Sequence, residues 1–157
     1  MHTFVILCLS VLLSLAGSCE SKSNTHKAPW SVQLTTSGGF AGVGTGNISV
    51  DSNGAFKYQP PGRPLPEKKG CEGKLTRQQF QPVSDAITKS KPDGWNVAGL
   101  KVAAPDAFGY KLEFTSNGHT TTVEWYDNTA DKLPDDLRQL SIALRETMKT
   151  ACTQTAP

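Results

Sequence analysis

The stretch "FGYKLEFTSNGHTTTVEWYD", residues 108–127, leaves a chain little choice of local structure. Asn-Gly is the dipeptide that most favours a two-residue hairpin turn with both central residues at positive φ, and such a turn sets the register of the strands beside it. With Asn117-Gly118 as that turn, Leu112 meets Val123 and Tyr110 meets Trp125 on one face, while Lys111 meets Glu124 on the other. Hydrophobic pattern and turn chemistry agree. The hairpin has one apolar face that another layer must cover.

The rest of the chain supplies that layer. Trp30, Val32 and Leu34 alternate with Ser31, Gln33 and Thr35, the period of a half-buried strand. After a glycine-rich stretch the alternation resumes at Ile48 and Val50. A three-residue loop, Ser52-Asn53-Gly54 with Gly54 left-handed, then sets Val50 opposite Phe56 and Ile48 opposite Tyr58. Residues 59–70, "QPPGRPLPEKKG", read as an exposed loop, because proline removes backbone donors from strand and helix alike. Thr76 and Gln79 have the spacing of a capping box, and Leu75, Phe80, Val83 and Ile87 follow at helical spacing to about Lys91. Pro82 is expected to bend that helix or delay its start, and Pro92-Asp93-Gly94 to end it. Pro134 suits a first helical position, with Asp135 and Asp136 in the positive-dipole first turn. Leu137, Leu140, Ser141, Leu144, Met148 and Cys152 make one face of the helix that follows. The order predicts an α+β fold: an antiparallel sheet of about four to five strands with two helices packed on one face, and no internal repeat.

A chain of 157 residues suits one domain. Its first 18 residues are set aside: Phe4 to Ala16 is an apolar run ending in small residues, too short to span a membrane comfortably, and reads as an export signal. Leu15-Ala16-Gly17-Ser18-Cys19 resembles a bacterial lipobox, in which the cysteine carries lipid and becomes the mature N-terminus. Residues 19–29 are a polar tether, and residues 30–157 the folded domain. With Cys8 removed in the signal and Cys19 lipidated, Cys71 and Cys152 remain as an even pair in an oxidising compartment. They are expected to form a disulfide.

Chemical signatures are sparse. The 16 basic and 14 acidic residues leave a net charge of +2 without a basic stripe, which argues against a nucleic-acid partner. Lys68-Lys69 near Arg63 sits in the proline-rich loop and reads as solvated. His26 and His119 have no metal-ligand spacing to another His, Cys or carboxylate, so no metal, cofactor or catalytic residue is expected. Gly42-Val43-Gly44-Thr45-Gly46 has the glycines of a phosphate loop but is followed by strand alternation from Asn47 to Val50, where that motif needs a helix.

The glycine stretch stands out for another reason. Ser37-Gly38-Gly39-Phe40-Ala41-Gly42 places one aromatic on pliable backbone directly after the first strand. With Pro105-Asp106, Phe108 and Tyr110, and with Leu133-Pro134, Leu137 and Leu140, it resembles in order and approximate spacing the emfourin family over roughly residues 30–150. Emfourins are protein inhibitors of protealysin and related thermolysin-like metallopeptidases. The resemblance implies a monomeric inhibitor whose Ser37, Gly38, Gly39, Phe40, Ala41 and Gly42 meet the peptidase. The export signal, the tether, the long loop at 53–70 and the cysteine pair depart from the compact family pattern. They turn the expected target into an exported peptidase, met at the cell envelope by a protein that touches the membrane only through lipid on Cys19. Two roles are open for Phe40: a plug for the apolar pocket of the cleft, or a cap on the domain's own core. The alternative function is a non-enzymatic envelope module binding another protein or a polymer, with Trp30, Trp95 and Trp125 as its platform.

Overall fold

The computed structural model describes residues 28–39, 44–62, 69–97, 100–101 and 104–153. The strands are β1 (Trp30–Gly38), β2 (Gly46–Asp51), β3 (Ala55–Gln59), β4 (Cys71–Lys74), β5 (Phe108–Ser116) and β6 (His119–Tyr126). They form one antiparallel sheet in the order β4-β3-β2-β1-β5-β6. Two helices, α1 (Arg77–Lys89) and α2 (Asp135–Thr150), complete the α+β arrangement. The sheet has six strands where four to five were expected.

Local chemistry set both hairpins as anticipated. Asn117 and Gly118 adopt φ of 51° and 77°, and the strands beside them pair Leu112 with Val123, Tyr110 with Trp125 and Lys111 with Glu124. Gly54 is left-handed at φ 78°, and Val50 faces Phe56 while Ile48 faces Tyr58. The additional strand is β4. Its sequence, Cys-Glu-Gly-Lys, carries no apolar alternation, because an edge strand with three of its four residues exposed has little to bury.

The core lies between the sheet and the helices. Alternate strand residues Trp30, Val32, Leu34, Ile48, Val50, Leu112 and Val123 pack with Val83 and Ile87 of α1 and Leu137, Leu140 and Leu144 of α2. Truncating one of the leucines or isoleucines among these to Ala removes contacts and leaves a void, at about 2–5 kcal/mol each. The opposite sheet face carries polar side chains such as Gln33, Thr35, Ser49, Lys57, Lys111 and Glu113 and needs no cover. On that face Lys111 pairs with Glu113 at 2.9 Å and Glu124 with Lys101 at 2.7 Å, although Lys111 and Glu124 are register partners. The Lys101 hydrogen bond holds the Glu124 carboxyl below its usual range.

Thr76 caps α1 through the reciprocal box: its hydroxyl accepts from the Gln79 backbone, and the Gln79 side chain accepts from the Thr76 N–H. Pro82 does not delay the helix, which begins at Arg77. The donor that proline lacks would have served the exposed Gln78 carbonyl, where water can substitute. Pro134 sits one position before α2 as its N-cap, so Asp135 and Asp136 open the helix. Asp136 also accepts from the Lys91 backbone at 2.8 Å and the Trp95 indole at 3.0 Å, tying the end of α1 to the start of α2. Burial alone would raise this carboxyl; the hydrogen bonds outweigh it and hold the group below its ordinary value.

Candidate functional site

The antiparallel register divides the connections unequally. At one end of the sheet are the tight turns at 52–54 and 117–118. At the other are the β1–β2 crossing, the β3–β4 connection after Gln59, the 104–107 turn that feeds β5, and the 127–132 turn that follows β6. Irregular backbone on a rigid scaffold is where binding residues concentrate. The glycine stretch is central in this array, since β1 and β2 are interior strands.

Ser37 and Gly38 end β1, and Gly39 follows it. Phe40, Ala41 and Gly42 lie outside the described residues, as does Cys19. What the structure does show is the base on which they stand. Gly44 donates its N–H to the Gly38 carbonyl at 2.8 Å, and Gly39 donates to Ala107 at 3.2 Å. Gly38 and Gly44 hold φ of 79° and 65°. A Cβ on Gly38 would stand 2.5 Å from the Ala107 carbonyl oxygen, and one on Gly44 would stand 2.3 Å from that of Thr36. Only glycine satisfies both the torsion and the space.

Thr36 anchors this base from below. Strand alternation turns it to the core face after Trp30, Val32 and Leu34, where it is buried. Its hydroxyl accepts from the Thr45 N–H at 2.6 Å, donates to the Gly46 carbonyl at 2.9 Å, and lies 2.9 Å from the Thr45 hydroxyl. From β3, Tyr58 donates to the Thr45 carbonyl at 3.2 Å; burial pushes the Tyr58 phenol up in pKa and keeps it a donor. Sequence reasoning passed over Thr36, though its signal was legible: a polar residue at a core-facing position, immediately before the glycines.

The neighbouring 104–107 turn presents Asp106 at φ 64°, following Pro105 and closed by the Ala107 N–H on the Ala104 carbonyl at 3.1 Å. This is the pattern of a type II turn with aspartate where glycine is usual. Asp106 is exposed, one residue from the carbonyl that holds Gly39.

Cys71 and Cys152 are bonded, with Cα atoms 5.8 Å apart, joining β4 to the short helical turn after α2. The three tryptophans make no platform. Trp30, Trp95 and Trp125 are 6%, 8% and 2% exposed, placed by Phe80, by Phe114 with Asp136, and by Tyr110 respectively. Among the described residues no group of three His, Cys, Asp or Glu is arranged to hold a metal ion. No helix among them is long and apolar enough to cross a membrane. The class these features define is a disulfide-linked α+β domain that displays a braced glycine turn at the loop-rich end of its sheet. No protein-family model matches the chain, and no curated protein matches it.

Proposed function

We propose that this protein is an exported, lipid-anchored inhibitor of thermolysin-like metallopeptidases that blocks the active cleft with the loop-rich end of its sheet. The observation that carries the reading is the base of the glycine turn. A segment offered to a peptidase must keep its place when bound, and the Gly38–Gly44 closure, the buried Thr36 hydroxyl and the Ala107 contact limit the conformational freedom that binding would otherwise remove. The emfourin resemblance supplies the target class, and its most specific residues, Ser37 to Gly42, begin on this base.

Phe40 is the plug in this reading. Thermolysin-like clefts accept an extended chain and have an apolar pocket after the scissile bond; full burial of a phenylalanine there contributes about 1.5–3 kcal/mol, or roughly 10–150-fold in affinity. Tight inhibition needs more, from a standard-sized interface that the adjoining loops extend. Asp106, exposed beside the Ala107 carbonyl that holds Gly39, offers a carboxylate to the peptidase's zinc or a basic side chain. The Cys71–Cys152 bond supports export, because such bonds persist in oxidising compartments. Incubating the protein with several thermolysin-like enzymes while following peptide cleavage tests the proposal. Full activity under a large excess of the protein, for every enzyme tried, rejects it.

A further inference from the structure

A cleft of about 370 Å³ opens where α2 passes the loop-rich ends of β5 and β6. We infer that it binds a free α-amino acid with an apolar side chain, taking the carboxylate on Arg145 and the ammonium on Asp127 and Asp131. The inference is independent of whether the glycine turn meets a peptidase.

Arg145 lies over the Tyr110 ring, 5.6 Å from its centroid, and Tyr110 in turn stacks on Trp125 at 5.4 Å and 13°. A guanidinium held over an aromatic face keeps its charge and its five N–H donors for a carboxylate. No carboxylate or carbonyl among the described residues takes them. Its helix neighbour Arg138 is different, being paired with Asp135.

Two further residues that line the same cleft carry a donor without an acceptor among the described residues: Tyr110 its hydroxyl and Trp125 its indole N–H. The indole is the informative one. Every fully enclosed side-chain nitrogen and oxygen in the described residues has a partner, so an unpartnered N–H must reach accessible surface. Trp125 is 2% exposed and lines this cleft, which makes its indole a reporter for the region. Water serves such a donor in the free protein, and a ligand oxygen entering the cleft would take that water's place.

The other wall determines the ligand's class. Asp131 has no partner among the described residues, and Asp127 accepts only from the Asn128 N–H. Two carboxylates beside the site repel a phosphate dianion and suit a ligand that pairs one carboxylate with one ammonium. Leu133, Ala130 and Ile142 supply an apolar wall for its side chain. The volume lies at the small end of the range for small-molecule sites, about 300–1,000 Å³.

The test is an NMR titration of the full disulfide-bonded chain, read at the Trp125 indole N–H. L-leucine and L-phenylalanine should move that resonance saturably. Phenylalaninamide, which lacks the carboxylate, and N-acetylphenylalanine, which lacks the ammonium, should each bind at least about tenfold more weakly. Arg145→Met should weaken binding by at least about tenfold, with Arg145→Lys recovering only part, while the Trp30 and Trp95 indoles stay in place and report an intact fold. The exposed Asp127→Asn and Asp131→Asn should weaken amino-acid binding and leave N-acetylphenylalanine unaffected. An unmoved Trp125 resonance at about 10 mM of either amino acid overturns the inference. So does binding by inorganic phosphate as strong as by the amino acids, or undiminished binding in Arg145→Met.

Discussion

The N–H of Gly44 donates to the carbonyl of Gly38 across 2.8 Å, so the chain leaves β1 and re-enters the sheet toward β2 at one point. This closure identifies the glycines of the motif that the backbone itself requires, Gly38 and Gly44.

Gly44→Ala and Phe40→Ala should therefore behave differently. The first forces an L side chain to φ 65° and its Cβ to 2.3 Å from the Thr36 carbonyl oxygen. Strain of this kind costs about 1–3 kcal/mol, and the clash adds to it. Thermal melts should show a lowered Tm. Phe40→Ala should leave Tm nearly unchanged while weakening inhibition by roughly 10–150-fold. A large drop in Tm would instead identify Phe40 as a cap on the core.

Thr36→Val keeps the shape and removes the hydroxyl that serves Thr45 and Gly46. Losing the two hydrogen bonds should cost about 1–3 kcal/mol in all. Amide exchange at Gly44 and Thr45 should accelerate well beyond that of β5 and β6, since only the base of the turn loses its anchor.

Replacing Cys71 and Cys152 together by serine opens a closed loop of sequence separation 81. The chain-entropy account values a loop of this length at about 4–5 kcal/mol. Urea unfolding should show a lower midpoint, and the edge strand β4, with little burial of its own, should lose amide protection first.

The Asp136 carboxyl is held below its ordinary value, so it stabilises the fold above the unfolded pKa of about 3.9. That contribution disappears as pH falls through the lower folded value. Melting temperature against pH should thus fall more steeply below about pH 4 in the parent protein than in Asp136→Asn. Parallel acid limbs would show that the Lys91 and Trp95 hydrogen bonds carry no linkage.

Asp106→Gly relaxes a positive φ that aspartate tolerates less readily than glycine. An unchanged Tm, or a small rise corresponding to stabilisation of up to about 1 kcal/mol, is expected. If the Asp106 carboxylate meets the peptidase, inhibition should fall in the same variant, so stability and function move in opposite directions.

Much of this molecule was legible without coordinates wherever the interaction spans a few residues. Asn117-Gly118 and Gly54 determine their hairpin registers because turn torsions and side-chain alternation are local properties. Thr76 and Gln79 determine the start of α1 for the same reason, and cysteine arithmetic paired Cys71 with Cys152. Tertiary structure decided what depends on distant partners. It made Cys71–Lys74 a strand, through pairing with β3 that its own residues do not encode. It brought Asp136 to Trp95 and Arg145 to Tyr110, and it diverted Lys111 and Glu124 to other partners. The physical reason is range: torsional preference and periodicity are written in neighbouring residues, whereas the partner of a charge or an indole is chosen by which elements pack together.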